Sequence, residues 1–352
     1  MTVSSVRDPV RDFAASPLRI DILAARSCRG AILYGLYDLL QSVGTAWSYL
    51  TEGTPAPPMT RVRIVAADPG SFRCIGGVPV APDAALDAAD DAEIVVLPNF
   101  REGPDADYRV VLARELTWLE ARHADGAHLA AACSGAQLIA ELGLLDGETA
   151  TAHWSCRDIF RRRYPKVDFQ PDRTLAFAGE GDRIVTAGGM AGWTDLALYL
   201  IARFLGPEHA SHAARFYCVD PRAEGQSRYA AMSRRIQSDD AVIRNSQLWV
   251  ADGYAMADPV TTMIERSGLP RRSFDRRFRA ATGYSPHEYV QALRVEEAKQ
   301  LLEATRAPVD AVAQTVGYAD PRAFQRLFRK STGLTPSAYR RRFSYDRFLA
   351  AR

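Results

Sequence analysis

The sequence predicts two domains of different class: an α/β domain, a parallel sheet with helices on both faces, and then an all-α domain with two helix-turn-helix motifs. Three observations predict this. Short apolar runs alternate with helix-spaced apolar patterns through residues 18–205. A repeat of fifty residues occupies the C-terminal part. Charge is split along the chain: residues 1–220 carry 21 basic and 28 acidic groups, residues 221–352 carry 23 and 14. The total of +2 therefore hides an acidic block and a basic block, and a basic block at one end is the footprint of a polyanion binder. The 352 residues fit about two domains at roughly 150 residues each.

Composition excludes other classes. With 47% hydrophobic residues the chain is globular rather than disordered. The longest stretch without Asp, Glu, Lys or Arg, residues 126–140, is shorter than the ~20 apolar residues that span a bilayer. Asp8 and Asp12, with no apolar run before Leu18, do not suit a secretory signal. Five scattered cysteines without a Cys-x-x-Cys pair suit a reducing cytoplasm and no structural zinc site.

In order along the first domain, residues 18–24, 61–67 and 93–97 are strand candidates. Residues 32–43 and 108–122 have helical spacing, and 53–59, rich in Pro and Gly, is the loop between the first helix and the second strand. Strands alternating with helices predict a parallel sheet covered on both faces. A helix over 195–205 closes the domain.

Residues 128–145 are the informative segment. Small apolar residues lead into Cys133; Ser134, Gly135 and a helical run follow. This is a strand, a sharp turn and a helix, with a thiol at the turn. A helix N-terminus favours thiolate, and His153 is available as a base. Ligands of open α/β sheets bind at such strand ends. The Ala-Ala-Cys-Ser-Gly-Ala elbow, His153, the Leu97-Pro98 strand end and Thr-Ala-Gly-Gly at 186–189 resemble the class I glutamine amidotransferase-like superfamily, in its PfpI-type branch, over residues 16–205. The resemblance implies a flavodoxin-like sheet. Hydrolases and deglycases of that branch carry an acidic residue after the first strand. Residues 25–31 here, Ala-Arg-Ser-Cys-Arg-Gly-Ala, have none, and Asp38 is too far along the helix. Cys133 thus has three readings: a degenerate elbow lining a ligand pocket, a redox thiol, or a working nucleophile. The first is expected, with no catalytic residue and Cys133, Ser134, His153, Trp154 and Trp193 around the ligand. The two tryptophans suit a cation–π cage or core packing. Cys133, His153 and Cys156 match no standard metal spacing, and no metal or cofactor is expected.

In the second domain, residues 273–289 lie over 323–339 with eight of seventeen positions identical, among them Phe274/Phe324, Arg276/Arg326, Phe278/Phe328 and Gly283/Gly333. The phenylalanines, four apart, share one helix face, and with Leu293 and Leu301 they are core. Short apolar helices over 260–266 and 309–316 precede each copy and end at Gly268 and Gly317. Short helix, turn and second helix make the helix-turn-helix layout. Arg reads guanine and Gln adenine in the major groove. Base-edge candidates are Arg272, Asp275 and Arg276 in the first copy and Arg322, Gln325 and Arg326 in the second. Asp275 suits cytosine N4, or an ion pair with Arg271 or Arg279. Arg279, Arg329, Lys330 and the run Arg340-Arg341-Arg342 suit phosphates. These copies resemble the AraC/XylS family of transcription regulators over residues 240–343. That resemblance implies a connecting helix over 286–302, and recognition helices in successive major grooves about 34 Å apart.

The expected organisation is a sensor domain over 1–205, a linker over 206–240 and a DNA-binding domain over 241–352. The pattern Asp220-Pro221-Arg222…Gly225-Gln226 resembles the linker of regulators that fuse these domains. The expected protein is a cytoplasmic, effector-responsive transcription activator and a homodimer, not an enzyme and not membrane-bound. Its partners are double-stranded promoter DNA, RNA polymerase and a small amine or amino-acid-like effector, as the resemblance implies. The alternatives are a Cys133-dependent amidase or deglycase, or a thiol redox sensor, fused to a DNA-binding domain.

Overall fold

The computed structural model of the chain describes residues 12–13, 15–103, 106–222, 225–232 and 240–344. Parts of the expected sensor domain (1–11, 14, 104–105), linker (223–224, 233–239) and DNA-binding domain (345–352) lie outside the described residues. The chain divides into two compact units, the second starting at Ser227.

The first unit runs β1 (Leu18–Leu23), α1 (Gly30–Gln41), α2 (Ala46–Glu52), β2 (Thr60–Ala66), β3 (Phe72–Arg73), β4 (Pro79–Val80), β5 (Ala84–Ala85), β6 (Ile94–Leu97), α3 (Tyr108–Val111), α4 (Ala113–Ala124), β7 (His128–Ala132), α5 (Ala136–Glu141), β8 (Thr149–Ala150), α6 (Arg157–Arg163), β9 (Asp168–Phe169), β10 (Leu175–Ala178), β11 (Ile184–Ala187), α7 (Gly192–Phe204) and α8 (Pro207–Tyr217). Seven strands form one sheet in the order β10-β11-β7-β6-β1-β2-β5. All neighbours are parallel except β10 with β11. β10 is an edge strand returning through a tight turn, which the short run Leu175–Ala178 did not announce.

The strands are apolar almost throughout because both faces are covered. On one face Ile20 and Ile22 of β1 pack with Ile32, Leu36, Leu196 and Leu200 of α1 and α7. On the other, Leu23, Val95 and Leu97 pack with Leu116, Leu119 and Ile139. The helix expected over 108–122 is two: buried Leu112, at φ −129° and ψ 35°, breaks it between α3 and α4. The linker expected over 206–240 is corrected too. Pro207 starts α8 at a position where its fixed φ suits a helix. Ala210, Ala213, Ala214 and Tyr217 pack on the core, and Tyr217 donates to Asp38 of α1 at 2.8 Å. A face made mostly of alanines carries little hydropathy signal, so the sequence hides this helix.

The second unit is helical: α9 (Ala241–Gly253), α10 (Pro259–Ser267), α11 (Arg271–Thr282), α12 (Pro286–Ala304), α13 (Val309–Thr315), α14 (Pro321–Thr332) and α15 (Pro336–Phe343). The repeat is the pair α10–α11 and α13–α14. Each has its own core: Met263, Phe274, Phe278 and Leu293 in the first, Val312, Phe324, Phe328 and Tyr339 in the second. α12 serves both, giving Leu293 to one and Val295 and Leu302 to the other, so it is buried around much of its circumference. Leu301, expected as core, is half-buried against the second cluster.

Candidate functional site

Two regions carry the chemistry, one in each unit. In the first, β7 delivers Cys133 at the sheet's C-terminal edge. Cys133 has φ +57°, a left-handed conformation that costs a non-glycine residue ~1–2 kcal/mol. Cys133–Gly135 is a single tight turn before α5. Gly135 is required there, because a Cβ would sit 2.2 Å from the Pro98 carbonyl oxygen. The Leu97-Pro98 strand end and the elbow are therefore one packed unit.

Burial disfavours the thiolate form of the elbow thiol. Cys133 is 4% exposed, and burial pushes its thiol from the ordinary 9.0 to about 11 against smaller opposing effects of Ser134 and Arg29. This corrects the dipole expectation. A helix end is worth ~0.3–1 kcal/mol, less than the roughly 2.7 kcal/mol that separates those two pKa values, and α5 has only six residues. The Cys–His pair that the alternative nucleophile reading needs is not formed by hydrogen bonding. His153 Nδ1 meets Ser155 Oγ at 2.7 Å and accepts from the Ser155 amide at 3.2 Å, and no hydrogen bond joins it to Cys133. Burial lowers its pKa, so it is neutral at pH 7. Cys133 Sγ lies 3.7 Å from Met190 Sδ. Cys156 is buried, with Gln137 donating to its sulfur at 3.6 Å, and burial holds it at about 12. Among the described residues no three His, Cys, Asp or Glu side chains converge as a metal site.

Of the other expected ligand residues, Ser134 Oγ donates to the Phe100 carbonyl at 2.8 Å. Trp154 tilts against His153 at 4.9 Å. The Trp193 ring closes over Gly35 of α1, where a Cβ would sit 2.7 Å from the indole. Trp193 is half-buried against the core of the first unit.

Sequence reasoning missed four residues here. Arg29 precedes α1, and its amide donates to Asn99 Oδ1 at 3.1 Å. Met190 covers the thiol. Gln226 is 4% exposed; its Nε2 donates to the Ala152 carbonyl at 2.6 Å, and its Oε1 accepts from the Trp154 amide at 3.2 Å. The Asp220-Pro221-Arg222…Gly225-Gln226 pattern, expected as linker, is thus a strap on the first unit. Arg222 grips buried Asp195 through its amide at 2.7 Å and Nε at 2.8 Å. Gly225 turns at φ +68°, where a Cβ would meet the Asp172 carbonyl oxygen at 2.1 Å. The Asp-Pro-Arg and Gly-Gln segments were visible; that they fold back on residues 27 to 74 positions earlier was not.

The second region is the face of α11 and α14. With Phe274, Phe278, Phe324 and Phe328 fully buried, helical geometry turns the intervening residues outward. Arg272, Arg276 and Arg279 are exposed, and so are Arg322, Gln325, Arg326, Arg329 and Lys330. Asp275 is half-exposed and 4.0 Å from Arg271. Arg326 is 4.0 Å from Asp320, which caps α14 by accepting from the amides of Arg322 and Ala323. Every base-edge and phosphate candidate of the two recognition helices lies on this open face. Two other arginines do not. Arg277 pairs with Asp240, the N-cap of α9, through bonds of 2.7 and 2.8 Å. Arg340, expected on phosphate, donates to the carbonyls of Leu302 and Ala307 at 3.3 and 2.6 Å; it tethers α15 instead.

A DJ-1/PfpI family description matches residues 45–203, and a helix-turn-helix domain description matches residues 263–342. The chain is 30% identical over 289 residues to the HTH-type transcriptional regulator CdhR of Pseudomonas aeruginosa, covering 79% of this chain and 80% of that one. It is 25% identical over 261 residues to the regulator GbdR of the same species, covering 74% and 69%. It is 29% identical over 214 residues to the regulator ArgR of that species, covering 60% and 63%.

Proposed function

Because the chain belongs to the family of HTH-type transcriptional regulators, with a DJ-1/PfpI domain ahead of an AraC-type DNA-binding domain, we propose that it is an effector-responsive activator rather than an enzyme. One observation carries the reading: the elbow thiol is buried and His153 turns its Nδ1 to Ser155 instead, while two arginine-bearing helices stand open. At a pKa of about 11, about one Cys133 in ten thousand is thiolate at pH 7. Such a thiol is a poor nucleophile and a poor redox sensor. It suits the wall of a binding site.

The first unit binds a small amine or amino-acid-like effector at the strand ends around Cys133, Ser134, His153 and Trp154. Arg29 is a positively charged side chain whose field acts on the elbow thiol. This favours a ligand that brings its own carboxylate. The second unit binds double-stranded promoter DNA. Arg272, Asp275, Arg276, Arg322, Gln325 and Arg326 face base edges, and Arg279, Arg329 and Lys330 face phosphates. The protein works in the cytoplasm as a homodimer that recruits RNA polymerase. The effector acts by favouring one DNA-competent arrangement, since a ligand shifts an equilibrium only by its differential affinity.

A promoter-reporter assay tests this. Cys133→Ala is expected to keep the effector response, and Arg29→Gln to lose it while keeping basal operator binding. Loss of the response in Cys133→Ala would return the elbow to a chemical role.

A further inference from the structure

The face formed by α2 and α8 has no part in either site. α2 has seven residues, none of them buried, and a helix that short does not hold itself in water. Trp47 anchors it. The Trp47 ring stacks on His212 at 4.9 Å and 8°, and the Arg215 guanidinium sits 4.4 Å from its centroid. Outward from this anchor, Tyr49 is 64% exposed and Leu50 63%, and α8 adds Phe216 at 39%. Beside them opens a cavity of about 220 Å³ lined by Val43, Trp47, Met59, His209, Ala213 and Phe216 among others.

An apolar knob and an apolar hole on the same face are what a two-fold interface needs, because each copy supplies both. The charges fit the same symmetry. Glu52 ends α2 and Arg215 lies on α8; both are exposed, and neither has an ion pair within the chain among the described residues. A two-fold axis lets the acidic end of one copy meet the basic end of the other. Aromatic residues and arginine are also the types enriched at interface centres.

We propose that the α2–α8 face docks a second copy of this chain, with Leu50 of each copy filling the cavity of the other. The proposal rests on the homodimer reading above and gives it a surface. Sedimentation velocity on the full chain tests it with the Leu50→Glu variant, whose fold is checked by its melting curve. Leu50 is exposed in the single chain, so the melt is expected to survive. The wild type is expected to be a dimer, and Leu50→Glu to weaken it about thirtyfold. Glu52→Arg is expected to weaken the dimer, whereas Arg215→Lys, which keeps the positive charge over Trp47, is expected to leave it. Equal dimerisation in wild type and Leu50→Glu overturns this face but leaves the homodimer reading standing. A monomeric wild type overturns both. If Leu50→Glu does not fold, Glu52→Arg decides: dimerisation equal to the wild type in that variant overturns the proposal.

Discussion

The elbow thiol gives the sharpest chemical prediction. The five cysteines include one exposed residue, Cys218, and four buried ones, so the protein carries its own control. Moving a thiol from 9.0 to about 11 lowers its thiolate fraction about a hundredfold at neutral pH. Only the thiolate attacks an alkylating reagent. Burial at 4% exposure slows access further. Pulse alkylation of the folded protein with iodoacetamide, read by peptide mass spectrometry, is expected to label Cys218 first and Cys133 at least about a hundredfold more slowly. The rate at Cys133 is expected to rise about tenfold per pH unit and to keep rising to pH 10, without a plateau near neutrality. The linked effect on stability has the same sign. A raised pKa in the fold contributes stability that is complete below the unfolded value of 9.0 and is lost as pH climbs through about 11. Labelling of Cys133 at the rate of Cys218 at pH 7, or a plateau by pH 8, would refute the reasoning and restore an activated nucleophile.

Other expectations follow from single contacts. Gly135→Ala places a Cβ 2.2 Å from the Pro98 carbonyl oxygen, backbone that has no rotamer to give. It is expected to cost at least ~1–3 kcal/mol, visible as a lower Tm of the first unit. Phe328→Ala empties the centre of the second helix-turn-helix core and is expected to cost ~3–5 kcal/mol in denaturant unfolding, whereas the surface change Arg329→Ala should leave the melt unchanged. Asp240→Asn breaks the bidentate bond to Arg277 but keeps a capping side chain on α9. A partly exposed pair of this kind is worth ~1 kcal/mol or less, so stability should fall by no more than that and base discrimination should not change.

Much of the architecture was legible because it is written in local periods. The alternating strands and helices, the elbow at 128–145 and the paired phenylalanines four apart each need only neighbours in sequence to be seen. What stayed hidden was set by distant partners. Gln226 finds its place from Ala152 and Trp154, 72 to 74 residues away, and Arg277, which helical spacing turns away from Arg272, Arg276 and Arg279, is held by Asp240, 37 residues upstream. Arg340 looks like one of three equal arginines, until the carbonyls of Leu302 and Ala307 claim it. The thiol shows the same limit in its energetics. The sequence displays the helix start that favours the thiolate, but burial, the larger effect, exists only once the sheet and Met190 close around Cys133.

The central claim is that the open faces of α11 and α14 read operator DNA. Its most direct test is the affinity of the full chain for its operator, by fluorescence anisotropy at a fixed salt concentration, with Arg276→Ala and Arg326→Ala. Each change is expected to cost ~1–3 kcal/mol and to relax sequence discrimination at its own base position, while Arg329→Ala weakens all sequences about equally and flattens the salt dependence. Operator affinity unchanged in both Arg276→Ala and Arg326→Ala would contradict the account.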